Sequence, residues 1–155
     1  DPKKKPKQDG SGATWNFLRY AADRKAGSGG SDAATWQALV NTNLTGVANL
    51  RKVFGADIGG MLRDWSVSHY TDDLVTGASA EFTQPSWNFH SVFPVLTGAN
   101  NTYPLLVKPL AGGSATGTLI GGSAAYYRFA IPPNATATIN VAGGAVFHSV
   151  VVRVR

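Results

Sequence analysis

His69, with Asp64 before it and Asp72 and Asp73 at positions i+3 and i+4, is the nearest thing to a reactive constellation in this sequence. At that spacing His69 and either Asp72 or Asp73 share one helix face, where a carboxylate can hold an imidazole. Such a pair serves as a general base or a metal ligand; the alternative is a solvated helix end with a hydrogen-bonded histidine. Two adjacent acids at a helix C-terminus oppose the helix dipole, which points to a partner for them. Calcium needs more oxygen donors than this pair offers.

The absences narrow the chemistry further. A zinc peptidase of the H-E-x-x-H type needs two helical His around a Glu, so that two imidazoles bind the metal and the carboxylate activates water. Glu81 is the single Glu here, beside Ala80 and Phe82, and His69, His90 and His148 are each at least twenty residues apart. A glycosidase-type carboxylate pair would have to come from the first half, since no acid follows Glu81. Gly112-Gly113-Ser114 and Gly121-Gly122-Ser123 read as glycine turns, without the G-x-S-x-G pattern of a nucleophile elbow. No catalytic residue, metal ligand or cofactor is therefore assigned, and the chain alone is expected to be inactive. Trp87, Phe89, Tyr103, Tyr126 and Tyr127 are candidates for an exposed aromatic platform that would take a sugar or a peptide.

The elements that carry these residues change character along the chain. Residues 14–80 have helical periodicity, with four short helices expected. The first spans about Thr14 to Ala26 and stops at Gly27; the second is capped by Ser31 or Asp32, and the third by Thr45 with Gly55 as its stop. The fourth is capped by Asp57, carries Ile58, Met61, Leu62 and Trp65 at i, i+3, i+4 and i+7, and ends near Asp72 or Asp73. Trp15, Leu18, Trp36, Leu39, Leu50, Phe54, Leu62 and Trp65 are the expected core. From residue 81 to 155 the period falls to 2, in runs at 87–96, 103–110, 115–120, 123–131, 135–142 and 145–155, each bounded by Gly, Pro or Asn. The expected fold is α+β with segregated halves: a helical cluster followed by an antiparallel β-sandwich.

Composition bounds the class. Of 155 residues 43% are hydrophobic, enough for a core, and only 15% are charged, below the usual quarter. Sparse charge with abundant small residues is typical of exported proteins, and Asn43, Asn100 and Asn134 each begin an N-x-T sequon. There is no Cys, hence no disulfide and no thiolate metal site. No apolar run reaches the roughly 18–20 residues of a membrane span. The chain does not begin with Met and carries no recognisable signal peptide, so a processed extracellular product is expected. The net charge is +5, but outside the first residues the cations are scattered, and nucleic acid is not an expected partner.

Residues 1–13 form an extended basic arm by composition. Pro2 and Pro6 favour extension, and Lys3, Lys4, Lys5 and Lys7 repel one another. Four Lys against two Asp leave +2 in residues 1–10. The arm has little apolar surface and no acidic host after Glu81, so it is expected to lie along a neighbouring chain in the manner of strand addition.

The stretches GATWNFLRYAADRKAG, TWQALVNTNLTGVANLRKVFG and LRDWSVSHYTDD together resemble the region downstream of the zinc site in secreted hyicolysin-like metallopeptidases. The later GGSAAYYRFAIPPNATATINV looks like the β-sandwich appended to many bacterial secreted peptidases. The resemblance covers roughly residues 12–142, and it rests on packing residues and turns. None of the family's zinc ligands nor its catalytic Glu has a matching position here. The resemblance implies a non-catalytic C-terminal accessory region, acting through protein contacts with other copies or with a separate catalytic half. An extracellular structural subunit that assembles through the arm, or a carbohydrate-binding module, are the other readings.

Overall fold

A computed structural model of the chain describes residues 11–27, 31–96, 103, 105–110 and 113–154. The arm residues Pro2, Lys3, Lys4, Lys5, Pro6 and Lys7 lie outside the described residues, as does Asn100. The chain divides into two compact units, Asp1–Tyr103 and Pro104–Arg155.

In the first unit, four helices stand where the apolar spacing predicts them: α1 (Ser11–Gly27), α2 (Asp32–Val40), α3 (Gly46–Phe54) and α4 (Ile58–Thr71). α1 begins inside the segment expected to be extended, so residues 11–13 are helical. The Asp57 carboxylate caps α4 by accepting from Gly60 N–H at 2.8 Å, satisfying a donor that the helix itself leaves free. Ser31 and Thr45 occupy the N-cap positions of α2 and α3 without a side-chain cap bond. Gly55 ends α3 at φ +107°, a conformation that a side chain would resist.

The core is built from Phe17 and Tyr20 of α1 with Ile58 and Trp65 of α4, and Leu50, Phe54, Met61 and Leu62 pack against it. Ala21 and Ala22 are fully buried, small enough for α1 to sit close to its neighbours. Of the expected core, only Trp65 is buried; Leu18, Trp36, Leu39, Leu50, Phe54 and Leu62 are half-buried, and Trp15 is 47% exposed. The inward stripe of α1 runs through Asn16, Phe17, Tyr20 and Ala21, displaced from the one that its largest side chain marks.

Polar side chains of α1 fasten the other elements. Arg19 pairs with Asp23 one turn on and with Asp32 at the start of α2, both at 2.7 Å. Lys25 donates to the Val53 carbonyl near the end of α3 at 2.6 Å. After α4 the chain makes a one-turn 3-10 helix (Ala80–Phe82), whose carbonyls are taken up by helix side chains. Arg24 donates to Ala80, Tyr20 to Glu81 and Thr71 to Phe82.

The expected antiparallel β-sandwich does not form. The run at 87–96, assigned above to a strand, becomes α5 (Phe89–Leu96). Asn88 Oδ1 accepts from the His90 and Ser91 N–H groups, the geometry of an N-cap, and Phe89, Val92 and Phe93 fall at helical spacing. In the second unit, among the described residues, only β1 (Val107–Pro109) and β2 (Tyr126–Arg128) form strands, and they pair in parallel with Val107 opposite Tyr126. The runs at 115–120, 135–142 and 145–154 join no ladder.

The turns of this unit do appear where glycine and asparagine mark them. Gly122 has φ +82° and Asn134 φ +62°, and the turns around them close through Ser123 N–H to Ile120 O and Ala135 N–H to Pro132 O. A turn is a local property. A ladder needs a register, and at 115–120 and 135–142 the small side chains Ala, Thr and Gly offer little one-sided apolar area to fix one, whereas the Val-rich run at 145–154 joins no ladder for no reason that its composition supplies. Ile120, Val141, Val146 and Val151 accordingly stay exposed.

Candidate functional site

The expected polar group separates in the folded chain. Asp64 pairs with its neighbour Arg63 at 2.7 Å. Asp72 is the C-cap of α4, and Asp73 leaves the helix at φ +61°, so it does not share the face of His69. The two acids do find partners, as their unfavourable position at the helix end requires. Asp72 Oδ2 accepts from Gln84 N–H at 3.2 Å, and Asp73 accepts from the Asn88 side-chain amide. Neither carboxylate is bonded to the imidazole.

His69 is held instead by neutral groups. Its Nδ1 lies 2.9 Å from the Tyr103 hydroxyl and 3.3 Å from Gln84 Nε2. Phe89 stacks on the ring at an interplanar angle of 12°, and Trp65 meets it edge-on. From α5, His90 Nε2 lies 3.0 Å from the His69 carbonyl; that oxygen only accepts, so His90 Nε2 carries the proton.

The polarity of the whole cluster is fixed from one end. The Trp65 indole N–H is a donor only, and it donates to Asn16 Oδ1 at 2.6 Å. The Asn16 amide nitrogen therefore faces Gln84 Oε1, at 3.1 Å. That leaves Gln84 Nε2 to donate to Ser68 Oγ at 2.8 Å and to face His69 Nδ1. The Ser68 hydroxyl in turn donates a hydrogen bond to the Trp65 carbonyl. With an N–H pointed at it, His69 Nδ1 must be the unprotonated nitrogen of a neutral ring.

Electrostatics agree with this assignment. Burial, and secondarily the nearby His90, push His69 down to about 4. Burial pushes Tyr103 up to about 12, so its hydroxyl stays a donor. Asp72 is also raised by burial, against the Gln84 N–H bond that favours its carboxylate. An imidazole this weakly basic, with its lone pair engaged, is poorly placed to act as a general base at neutral pH. The cleft beside it leaves no room for even a water-sized molecule, far short of the roughly 300 Å³ at which ligand pockets begin.

Among the described residues no three His, Asp or Glu side chains gather to hold a metal ion. Gln84, Asn88, His90 and Tyr103 all belong to the cluster around His69, and none was marked as polar-site chemistry by sequence spacing. Only the adjacent acids, in want of partners, hinted that donors would arrive from elsewhere. Of the aromatic platform candidates, Phe89 and Tyr103 turn onto His69, and Trp87 meets Trp15 edge-on at 4.9 Å. Tyr126 is half-buried, while its neighbour Tyr127 is exposed. No known family, curated protein or solved structure matches the chain.

Proposed function

We propose that this chain is the non-catalytic accessory region of a secreted metallopeptidase-like protein and acts through contacts with other protein chains. The observation that supports this most is how the residues of the two most distinctive stretches are used. Asn16, from GATWNFLRYAADRKAG, and Trp65, Ser68 and His69, from LRDWSVSHYTDD, meet in a single buried hydrogen-bond network. Trp65 bonds Asn16 directly, Gln84 links Asn16 to Ser68 and His69, and the pattern that produces the resemblance serves to hold a frame together.

The zinc of such peptidases has no fitting donor set among the described residues. His69 Nδ1 is engaged by Tyr103 and Gln84, and His90 Nε2 points at a carbonyl. Metal chemistry in this reading belongs to a separate catalytic half. The surface available for contacts includes Trp15, Val40, Leu44, Val47, Val95 and Leu96, all exposed. No helix among the described residues is long and apolar enough to cross a membrane.

The native polypeptide tests this reading. Antibody against residues 11–103 should capture a species that contains, or travels with, an H-E-x-x-H segment, identified by mass spectrometry. Capture of the 155-residue chain with no peptidase-type sequence attached or bound would overturn it. The purified chain, supplied with zinc, should show no chelator-sensitive hydrolysis of protein substrates; activity abolished by His69→Ala would make that histidine catalytic.

A further inference from the structure

We propose that His69 is an acid-operated latch: a proton taken up at Nδ1 sets the ring against the Gln84 amide, drives it from its buried place and frees α5 from α4.

The geometry makes the neutral ring a condition of docking. Tyr103 could answer a protonated Nδ1 by rotating its hydroxyl and accepting instead. Gln84 has no such freedom. Its Oε1 accepts from Asn16 and Asn16 Oδ1 accepts from Trp65, whose indole cannot accept in return. Flipping the Gln84 amide would set its nitrogen against the Asn16 nitrogen, which the Trp65 indole holds in place. A protonated Nδ1 therefore opposes an N–H donor at 3.3 Å, in a site where Ser68 is fully buried and Gln84 is 4% exposed. Unpaired donors there carry the full cost of lost hydration.

The groups that face the ring offer the charge no relief. From α5 comes His90, a second imidazole bonded to the His69 carbonyl. From the end of α4 come Asp72 and Asp73, whose carboxylates are turned to the Gln84 N–H and the Asn88 amide. Tyr103 is uncharged, and the segment carrying Gln84 presents only its amide. The contacts that join α5 and the residue before it to the end of α4 include Phe89 against the His69 ring, His90 on the His69 carbonyl, and Asn88 on Asp73. Protonation strikes at the centre of that set, whereas the Phe17, Tyr20, Ile58 and Trp65 core holds no group that titrates in the same range. The depressed basicity of His69 is the thermodynamic counterpart: docking and proton uptake compete.

Amide hydrogen exchange on the full chain tests the latch. Between about pH 7.5 and about pH 4.5, exchange in α5, corrected for its intrinsic rate, should accelerate on the order of 100-fold relative to α1 and α4. His69→Asn places an oxygen acceptor near the Nδ1 position and does not titrate, so it should remove the acceleration. Nitrogen NMR of the wild-type ring supplies a reading that does not depend on a variant: Nδ1 should be unprotonated at neutral pH, with its midpoint well below 6.5. A protonated Nδ1 at neutral pH, an ordinary midpoint, or equal acceleration in His69→Asn would each overturn the proposal.

Discussion

Asn16 and Gln84, 68 positions apart, share a buried side-chain hydrogen bond of 3.1 Å. Through it the direction of every later bond in the cluster follows from the Trp65 indole, so one amide on α1 sets the protonation of a histidine on α4. Asn16→Ala leaves both the indole N–H and Gln84 Oε1 without a partner in the interior. A loss of about 2–4 kcal/mol is expected in urea unfolding. Asn16→Asp keeps the bond to Trp65 but sets oxygen against oxygen at Gln84, and should also destabilise. Equal stability of Asn16→Asp and wild type would show that the polarity of the chain does not matter.

The pH dependence of global stability should have two limbs. His69 is lowered in the folded state, to about 4, so unfolding is accompanied by proton uptake below its ordinary 6.5. Stability is full above that value and falls as pH drops toward 4, by on the order of 2–3 kcal/mol. Asp72, raised by burial above its ordinary 3.8, works in the opposite sense and offsets part of this loss at the acid end of the fall. At the alkaline end Tyr20 and Tyr103 are both raised to about 12 by burial, so their contribution is lost as pH rises from 10 toward 12. Urea midpoints across pH would show the plateau between these limbs; a flat acid side would contradict the neutral assignment of His69.

Gly60 and Asp57 should be energetically coupled. A Cβ built on Gly60 falls 2.2 Å from Asp57 Oδ2, so the cap must turn away if alanine is introduced. The helix gains about 1 kcal/mol from Gly→Ala and loses about 1 kcal/mol with the cap, leaving Gly60→Ala near neutral. Asp57→Ala should then cost about 1 kcal/mol in wild type and almost nothing in the Gly60→Ala background. Additive losses in the double-mutant cycle would show that the cap survives.

The basic arm can be tested by its removal. Were residues 1–10 to order on another chain, the cost would be on the order of 1–2 kcal/mol per residue, which a segment of Pro and Lys could offset only through contacts with that chain. Deletion of residues 1–10 is expected to weaken association with other chains, read by sedimentation, with the circular dichroism nearly unchanged. Undiminished association would remove the arm from the proposed interface.

Much of the helical frame was legible in the residues because its signals are local. Four apolar-periodic segments, the Asp57 cap and the Gly55 stop each depend on neighbours within a turn or two, and those neighbours are the same in any fold. Glycine and asparagine turns at Gly122 and Asn134 were legible for the same reason. The ladders between them were not, because a strand exists only through a partner elsewhere in the chain, and alternation within a run does not name one. The run at 87–96 satisfied both periods, and the Asn88 cap decided for a helix. The candidate site was the least legible part. The sequence placed His69 near Asp72 and Asp73, which is true along the chain and misleading in space. Tertiary structure turned those carboxylates toward Gln84 and Asn88, brought Tyr103 and Gln84 to the ring, and fixed its protonation from Trp65. Hydrogen-bond direction is a property of a closed set of donors and acceptors, and the members of this set are up to 68 residues apart.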